Sequence, residues 1–207
     1  MIIRRKYHIN TGQIIWIILI VTLFSSCKHT TQPSTDFDPI LPLSVGNSWT
    51  YARTWSRLDS ISLDTITMSI TSMDTVQGVV GYNTENLIIG PFTWFEGSMI
   101  DGRSDGLYWI SWPMTYPPTK PSATKALSYP TVVGESINFE GYKITTESVS
   151  EIISTQAGSF NCVKYVVNLD STIVGIIWSK PGTGFVKTQA QYGLVRYDHE
   201  LISYSLK

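Results

Sequence analysis

Few residues of this chain could carry out nucleophilic catalysis, which needs a nucleophile beside a base that is usually histidine. The chain has three histidines, and only His29 and His199 lie beyond residue 26. His199 follows Asp198 near the C-terminus, and no G-x-S-x-G motif of a nucleophile elbow occurs. We therefore interpret His199 as a polar residue of a hairpin and predict no catalytic residue.

Acidic residues are the other candidates for chemistry. Glycoside hydrolysis needs two carboxylates about 5–10 Å apart, and sequence spacing pairs none of the five candidates, Glu96, Glu135, Glu140, Glu147 and Glu151. Asp101 and Asp105 loosely suggest a calcium loop, but D-G-R-S-D-G lacks further carboxylates and carries Arg103 in the middle. We predict a hairpin turn there, no metal site, no cofactor and no enzymatic activity.

Aromatic residues are abundant in this sequence, at 12% of the chain. Trp94, Phe95, Tyr108, Trp109 and Trp112 cluster around one predicted hairpin. Strand alternation sends Trp109 to one face and its neighbours at 108 and 112 to the other. Exposed aromatic rings in a row would suit sugar rings or acyl chains. We identify a possible ligand platform, with filling of the protein core as the alternative, in Trp94, Tyr108, Trp109 and Trp112.

The first 26 residues have the pattern of a secretory signal peptide. Arg4, Arg5 and Lys6 precede an apolar run of eleven residues at 14–24, which is shorter than the roughly 20 residues that span a bilayer. Over the whole chain, 15 Lys and Arg stand against 16 Asp and Glu. This balance lacks the basic excess of a nucleic-acid-binding protein, so no nucleic-acid partner is expected.

The segment L-F-S-S-C that ends at Cys27 resembles a bacterial lipobox, in which the cysteine is acylated and becomes the new N-terminus. The resemblance implies anchoring to a membrane through acyl chains on Cys27, and two or more chains anchor stably. Residues 27–41 are rich in Thr, Pro and Ser, so we expect an acylated cysteine followed by a flexible tether. A folded domain is then predicted over residues 42–207.

A second cysteine, Cys162, would have no partner within the chain once Cys27 is acylated. It lies in a segment of alternating apolar residues, opposite the face of Val163 if that strand is regular. A lone thiol in an oxidising compartment persists best when it is buried. We predict a buried, unreactive cysteine.

Residues 42–207 show period-two alternation of β-branched and aromatic residues between Gly, Pro, Asn and Asp turns. In the first segment Trp49, Tyr51, Arg53 and Trp55 share one face. Ten or eleven short strands predict an all-β fold made of a single antiparallel curved sheet, either a half-barrel or an open barrel. Five prolines within residues 113–130 predict a long loop without a ladder.

Two segments hint at an internal repeat. G-N-S-W-T-Y at residues 46–51 and G-E-S-I-N-F at residues 134–139 share a pattern of glycine, serine, an apolar residue and a final aromatic residue. The match is short, and we treat a duplicated half as a hypothesis.

Three segments resemble a group of uncharacterised bacterial lipoproteins. They are L-P-L-S-V-G-N-S-W-T-Y at 41–51, G-S-F-N-C-V-K-Y at 158–165 and W-S-K-P-G-T-G-F-V-K at 178–187. In the third, Ser179 and Lys180 depart from the aromatic-Ala pair of that group. The resemblance implies a curved sheet or half-barrel similar in outline to periplasmic lipoprotein carriers, and it implies no reaction.

We therefore expect a lipid-anchored envelope lipoprotein that acts as a non-catalytic binding or structural module. Lys28 follows Cys27 without an acidic retention signal, which by analogy favours the outer membrane on its periplasmic side. Two ligand classes remain open: a lipid carried in a half-barrel cavity, or a glycan bound on an exposed Trp/Tyr platform.

Overall fold

The computed structural model describes residues 38–92, 99–111 and 120–207. These residues form twelve β-strands and one short 3-10 turn at Gly90–Phe92. The strands are β1 Ser48–Arg57, β2 Ser60–Val76, β3 Val79–Glu85, β4 Met99–Arg103, β5 Gly106–Ser111, β6 Ser122–Ser128, β7 Ser136–Phe139, β8 Tyr142–Thr155, β9 Gly158–Leu169, β10 Thr172–Lys180, β11 Gly184–Tyr192 and β12 Val195–Ser205. No helix among the described residues is long and apolar enough to cross a bilayer.

All twelve strands belong to one antiparallel sheet that curves into a nearly closed barrel. Their order is β6-β5-β4-β3-β2-β1-β12-β11-β10-β9-β8-β7, so chain neighbours pair and the first strand pairs with the last. The seam lies between β6 and β7. There Tyr165 Oη donates a hydrogen bond of 2.8 Å to the Ser128 carbonyl, and the rings of Trp109 and Phe139 lie 6.2 Å apart. The predicted all-β curved sheet is confirmed.

Strand alternation builds the core, because every second residue points to the concave side. On β1, Trp49 and Tyr51 are fully buried, and on β9 Tyr165 and Val167 are as well. The connection between β3 and β4 adds to this core, since Ile88 and Ile89 are buried within it. Pro91 of the 3-10 turn packs where a side chain at Gly175 would stand. The concave side is thus filled by the chain's own residues over these strands.

The folded region begins earlier than the sequence suggested. Ile40 and Leu41, assigned above to the flexible tether, are 3% and 1% exposed. The Pro39 carbonyl accepts a hydrogen bond from the Gly182 amide at 2.8 Å. The Ser179 hydroxyl lies 2.9 Å from the Ile40 carbonyl oxygen. Two adjacent apolar residues are too short a pattern to distinguish from the polar segment before them. The boundary between the predicted tether and the folded domain therefore moves from residue 42 to about residue 38.

We call residues 38–41 the N-terminal segment. This segment lies against the first strand and the β10–β11 turn. Trp49 Nε1 donates to the Thr183 carbonyl at 2.6 Å, and Tyr51 Oη donates to the Phe185 carbonyl at 2.9 Å. Gly184 has a φ of +107°, and Leu41 and the Trp49 indole fill the space where its side chain would lie. Only glycine fits this approach. Two of the segments that resemble bacterial lipoproteins therefore contact each other.

The hypothesis of an internal repeat has a counterpart in the backbone. Gly46 and Gly134 have φ values of +93° and +89°. The Gly46 amide donates to the Ile70 carbonyl at 2.9 Å, and the Gly134 amide donates to the Thr146 carbonyl at 2.8 Å. In both places a second hydrogen bond runs in the opposite direction. The Ile70 amide donates to the carbonyl of residue 47, and the Thr146 amide donates to the carbonyl of residue 135. β1 and β7 therefore begin in the same way, as expected of two six-strand halves.

One strand prediction is wrong. The proline-rich segment 113–130 was expected to form only a loop, yet β6 lies within it at Ser122–Ser128. Its seven residues contain no proline, because the flanking Pro121 and Pro130 lie outside it. β6 also borders the seam, where a strand needs only one paired edge. Prolines on either side of a strand are compatible with such an edge position.

The buried hydrogen bond of Tyr51 gives a first prediction. Tyr51→Phe keeps the ring in the core but leaves the Phe185 carbonyl without its donor, so the free energy of unfolding should fall by about 1–3 kcal/mol. Chemical denaturation measures this change. Tyr204→Phe is the matched control, because Tyr204 is 43% exposed. Equal stability of the two variants would contradict the role assigned to Tyr51.

Candidate functional site

A cluster of partly exposed aromatic side chains lies at the end of the barrel opposite the N-terminal segment. We call it the mouth and define it by Trp55, Tyr197 and Tyr192 with Arg53 and Asp64. Trp55 on β1 pairs in register with Tyr197 on β12. Tyr197 and Tyr192 have ring centroids 6.3 Å apart at an interplanar angle of 71°. Each of the three aromatic residues is half-buried, so an aromatic surface spans three adjacent strands.

These residues face the concave side because of strand alternation. Trp55 lies two and four positions beyond Arg53 and Tyr51 on the same face of β1. On β12, Tyr197 shares its face with His199 and the buried Leu201. The core thus changes from fully apolar to polar and aromatic as the strands approach the mouth.

An ion pair lies beside the aromatic residues. Arg53 and Asp64 are register partners on β1 and β2, and the guanidinium donates two hydrogen bonds, Nε to Oδ1 at 2.7 Å and Nη2 to Oδ2 at 2.5 Å. Hydrogen bonding to Arg53 lowers the pKa of Asp64. The two side chains are 30% and 40% exposed, so both remain accessible to a ligand. A bidentate pair of a guanidinium and a carboxylate holds its hydrogen-bond donors and acceptors in fixed positions.

His199 lies beneath the mouth. It belongs to the β11–β12 hairpin, as predicted, and it is buried there with 3% exposure. Its Nδ1 lies 3.1 Å from the Thr188 hydroxyl, and its ring meets Tyr51 edge-on at 6.5 Å. Burial, followed by the nearby charge of Arg53, lowers its pKa to about 4. The imidazole is therefore neutral at pH 7.

The predicted aromatic platform is not a single surface among the residues that can be described. Tyr108 is partly exposed, with the Arg103 guanidinium 4.0 Å from its ring centroid. Trp109 points to the opposite face, as the alternation predicted, and is 3% exposed within the core. Trp94 and Trp112 lie outside the described residues. A ligand on the outer face would meet Tyr108 without Trp109.

The D-G-R-S-D-G segment forms the predicted hairpin turn between β4 and β5. Asp101 pairs with Arg103 at 2.8 Å, and Asp105 pairs with Lys125 at 2.5 Å. Asp105 also accepts a hydrogen bond from Tyr108 Oη at 2.8 Å. Within residues 38–92, 99–111 and 120–207, no three His, Cys, Asp or Glu residues converge as metal ligands.

Of the glutamates considered for catalysis, two lie beside the same lysine, and Glu135 has different partners. Glu147 and Glu151 share the ammonium group of Lys164, at 2.7 and 3.6 Å. Glu151 also accepts a hydrogen bond of 3.0 Å from Trp178 Nε1. Glu135 accepts one from the Thr131 hydroxyl at 3.0 Å, and Glu96 lies outside the described residues. Glu135, Glu147 and Glu151 thus each have a basic or hydroxyl partner.

Cys162 is buried, as predicted. It is fully enclosed by a small cluster with Trp178 and Val186, and burial raises the pKa of its thiol to about 12. A thiol with such a pKa is protonated and a poor nucleophile at pH 7. Cys27 lies outside the described residues.

Sequence reasoning missed the mouth for an identifiable reason. Trp55 was placed correctly on the face of Trp49 and Tyr51, but Tyr192 and Tyr197 are about 140 positions further along the chain. Only the pairing of the first and last strands brings them together. The signal available in the sequence was that the apolar face of β1 ends in Arg53 and Trp55.

No family model and no curated protein matches the chain. Among solved structures it is similar to a proposed lipoprotein from Parabacteroides distasonis, with a TM-score of 0.41, 14% identity, and coverage of 83% of this chain and 100% of that one. It is also similar to a proposed exported protein with a YmcC-like fold from Bacteroides fragilis, with a TM-score of 0.41, 12% identity, and coverage of 82% and 100%. A LolA superfamily protein from Nitrosomonas europaea gives a TM-score of 0.26, 8% identity, and coverage of 81% and 89%. The functional proposal therefore rests on the residues of this chain.

The buried imidazole makes stability depend on pH. Because the pKa of His199 is lower in the folded chain than the ordinary value of 6.5, the unfolded chain binds the additional proton. The contribution of the neutral His199 to the free energy of unfolding is fully present above pH 6.5. As the pH falls, the free energy of unfolding should decrease by about 1 kcal/mol per pH unit between pH 6 and pH 4.5. Chemical denaturation at several pH values measures the slope.

His199→Gln is the matched variant, because the amide keeps a polar group near Thr188 and does not titrate. Its unfolding free energy should be nearly constant over the same range. An identical slope in both proteins would contradict the assignment to His199.

Proposed function

We propose that this chain is a non-catalytic envelope lipoprotein, anchored through acyl chains on Cys27, and that its mouth binds a saccharide. The observation that carries the proposal is the row of half-buried aromatic rings, Trp55, Tyr197 and Tyr192, beside the accessible pair Arg53 and Asp64. The anchor and the outer-membrane location rest on the lipobox resemblance and on the residues after Cys27.

The chemistry of the mouth suits a pyranose ring. The apolar C–H face of a sugar packs on an aromatic ring, while its hydroxyl groups need fixed donors and acceptors. Arg53 and Asp64 offer both, and their mutual pairing holds them in place without a ligand. Three aromatic contacts of about 1 kcal/mol each, together with hydrogen bonds of about 1 kcal/mol to Arg53 and Asp64, support affinities near the millimolar range. Such weak binding is appropriate for a tethered protein that meets a polymeric ligand.

The filling of the barrel favours this proposal over a lipid carrier. An acyl chain needs apolar space on the concave side of the sheet, and Ile88 and Ile89 occupy that side with 1% and 0% exposure. The tight packing of Pro91 at Gly175 further reduces the space on the concave side. A sugar bound at the mouth requires no rearrangement of these residues.

The same surroundings favour binding over catalysis. The His199 imidazole beneath the mouth is neutral but enclosed, and the Thr188 hydroxyl beside it is fully buried. Asp64 is held ionised by Arg53, so it is a poor general acid. Glycoside hydrolysis would need a second carboxylate opposite it.

Calorimetry tests the proposal with the acylated chain in a zwitterionic detergent, since a sugar-based detergent would compete. The probes are chitotetraose, cellotetraose and maltotetraose. Trp55→Ala and Tyr197→Ala should each weaken binding of the recognised sugar about fivefold, because each removes a stacking surface worth on the order of 1 kcal/mol. Tyr197→Phe keeps the ring and should retain most of the affinity.

Tyr108→Ala is the control, because Tyr108 belongs to the outer face. Thermal unfolding of each variant distinguishes lost binding from lost folding. Absence of binding to all three sugars, or loss of binding in Tyr108→Ala but not in Trp55→Ala, would contradict the proposed site.

A further inference from the structure

One edge of the long strand β2 is open over half its length. β1 pairs with β2 along Ser60 to Ser69, whereas β3 pairs with it only from Ser69 onward. Within the described part of the chain, no strand pairs with the outer edge of residues 60–68. The Asn86 side-chain amide donates to the Thr67 carbonyl at 3.0 Å where β3 leaves this edge. Unpaired backbone groups in such a row are a template for another strand.

The open edge also carries exposed apolar side chains. Ile61 and Leu63 are 72% and 75% exposed and lie on the convex face, while Ser62 and Asp64 between and beside them face the mouth. Edge strands in monomeric proteins are usually protected by lysine, proline or an inward charge. Residues 60–68 contain no lysine and no proline, and the one charge, Asp64, is paired with Arg53.

Exposure alone does not distinguish this edge, since the neighbouring β11–β12 turn exposes Leu194 by 70%. The difference lies in the backbone. β12, which follows Leu194, pairs with β1 on one side and with β11 on the other. Of the β1–β2 and β11–β12 hairpins, the β1–β2 hairpin is the one that combines exposed apolar side chains with backbone groups unpaired among the described residues, and both lie on the outer edge of β2.

We propose that this edge pairs antiparallel with the same edge of a second copy of the chain, centred on Ser62. In that register Ile61 of each copy faces Leu63 of the other, so four exposed apolar side chains become two cross-strand pairs. Asp64 of each copy faces Ser60 of the other, and no like charges meet. Cross-strand apolar pairs stabilise a sheet, whereas like charges directly opposite each other destabilise it. The segment is complementary to itself, as a twofold interface requires.

Cysteine cross-linking in the envelope of the bacterial host tests this pairing with the full chain. In the proposed register the two residues at position 63 are diagonal neighbours, about 7–8 Å apart. Leu63→Cys should therefore form a covalent dimer with a short bismaleimide, seen on a non-reducing gel at twice the mass of the chain. Leu194→Cys is the control, because it is equally exposed on the adjacent turn. The unchanged chain shows whether Cys27 or Cys162 contributes.

Addition of Ile61→Lys to Leu63→Cys should reduce the dimer at least tenfold, because it places a charge in the apolar pair without touching the core. Three outcomes would overturn the proposal: no dimer from Leu63→Cys, equal dimer from Leu194→Cys, or a cross-linked product whose mass is not twice that of the chain. The last would assign the edge to a different protein.

Discussion

The attachment of the N-terminal segment to the β10–β11 turn is the constraint on which the barrel depends. Trp49 and Tyr51 each donate a buried hydrogen bond to a carbonyl of residues 183–185. Each of these bonds spans 134 positions of the chain, and β1 also pairs directly with β12. Buried tyrosine and tryptophan donors are costly to leave unpaired. The first and last strands are thereby joined in a defined register.

This attachment also decides which end of the barrel is free. At the attached end, Leu41 and the Trp49 indole press against Gly184, and the Asn47 side-chain oxygen accepts a hydrogen bond from the Lys207 amide. At the opposite end the inward side chains become polar and aromatic. His199 lies at the transition, enclosed by core residues on one side and by the Arg53 pair on the other. The mouth therefore lies at the end of the barrel away from Leu41.

Much of the fold could be predicted from the sequence because period-two alternation is a local signal. The hairpin turn at residues 101–106, the buried Cys162 and the face shared by Trp49, Tyr51 and Arg53 all follow from neighbouring residues. Proline content misled the prediction at β6: Ser122–Ser128 contains no proline, but its place beside the seam depends on the order of the whole sheet. The tether boundary failed for a similar reason, because Ile40 and Leu41 are buried by residues far away in the chain. The mouth was not predictable for the same reason, as it requires the pairing of β1 with β12.

The account is tested most directly by the indole resonances of the acylated chain labelled with ¹⁵N-tryptophan, because four tryptophans among the described residues lie at different places. Trp49 reports on the attached end, Trp55 on the mouth, Trp109 on the core and Trp178 on the outer face. Single Trp→Phe variants assign the signals, and the saccharide recognised in calorimetry is then added. The account predicts that the Trp55 resonance shifts in proportion to bound ligand while those of Trp49, Trp109 and Trp178 remain in place. A shift at Trp178 or Trp109 with Trp55 unchanged would contradict it.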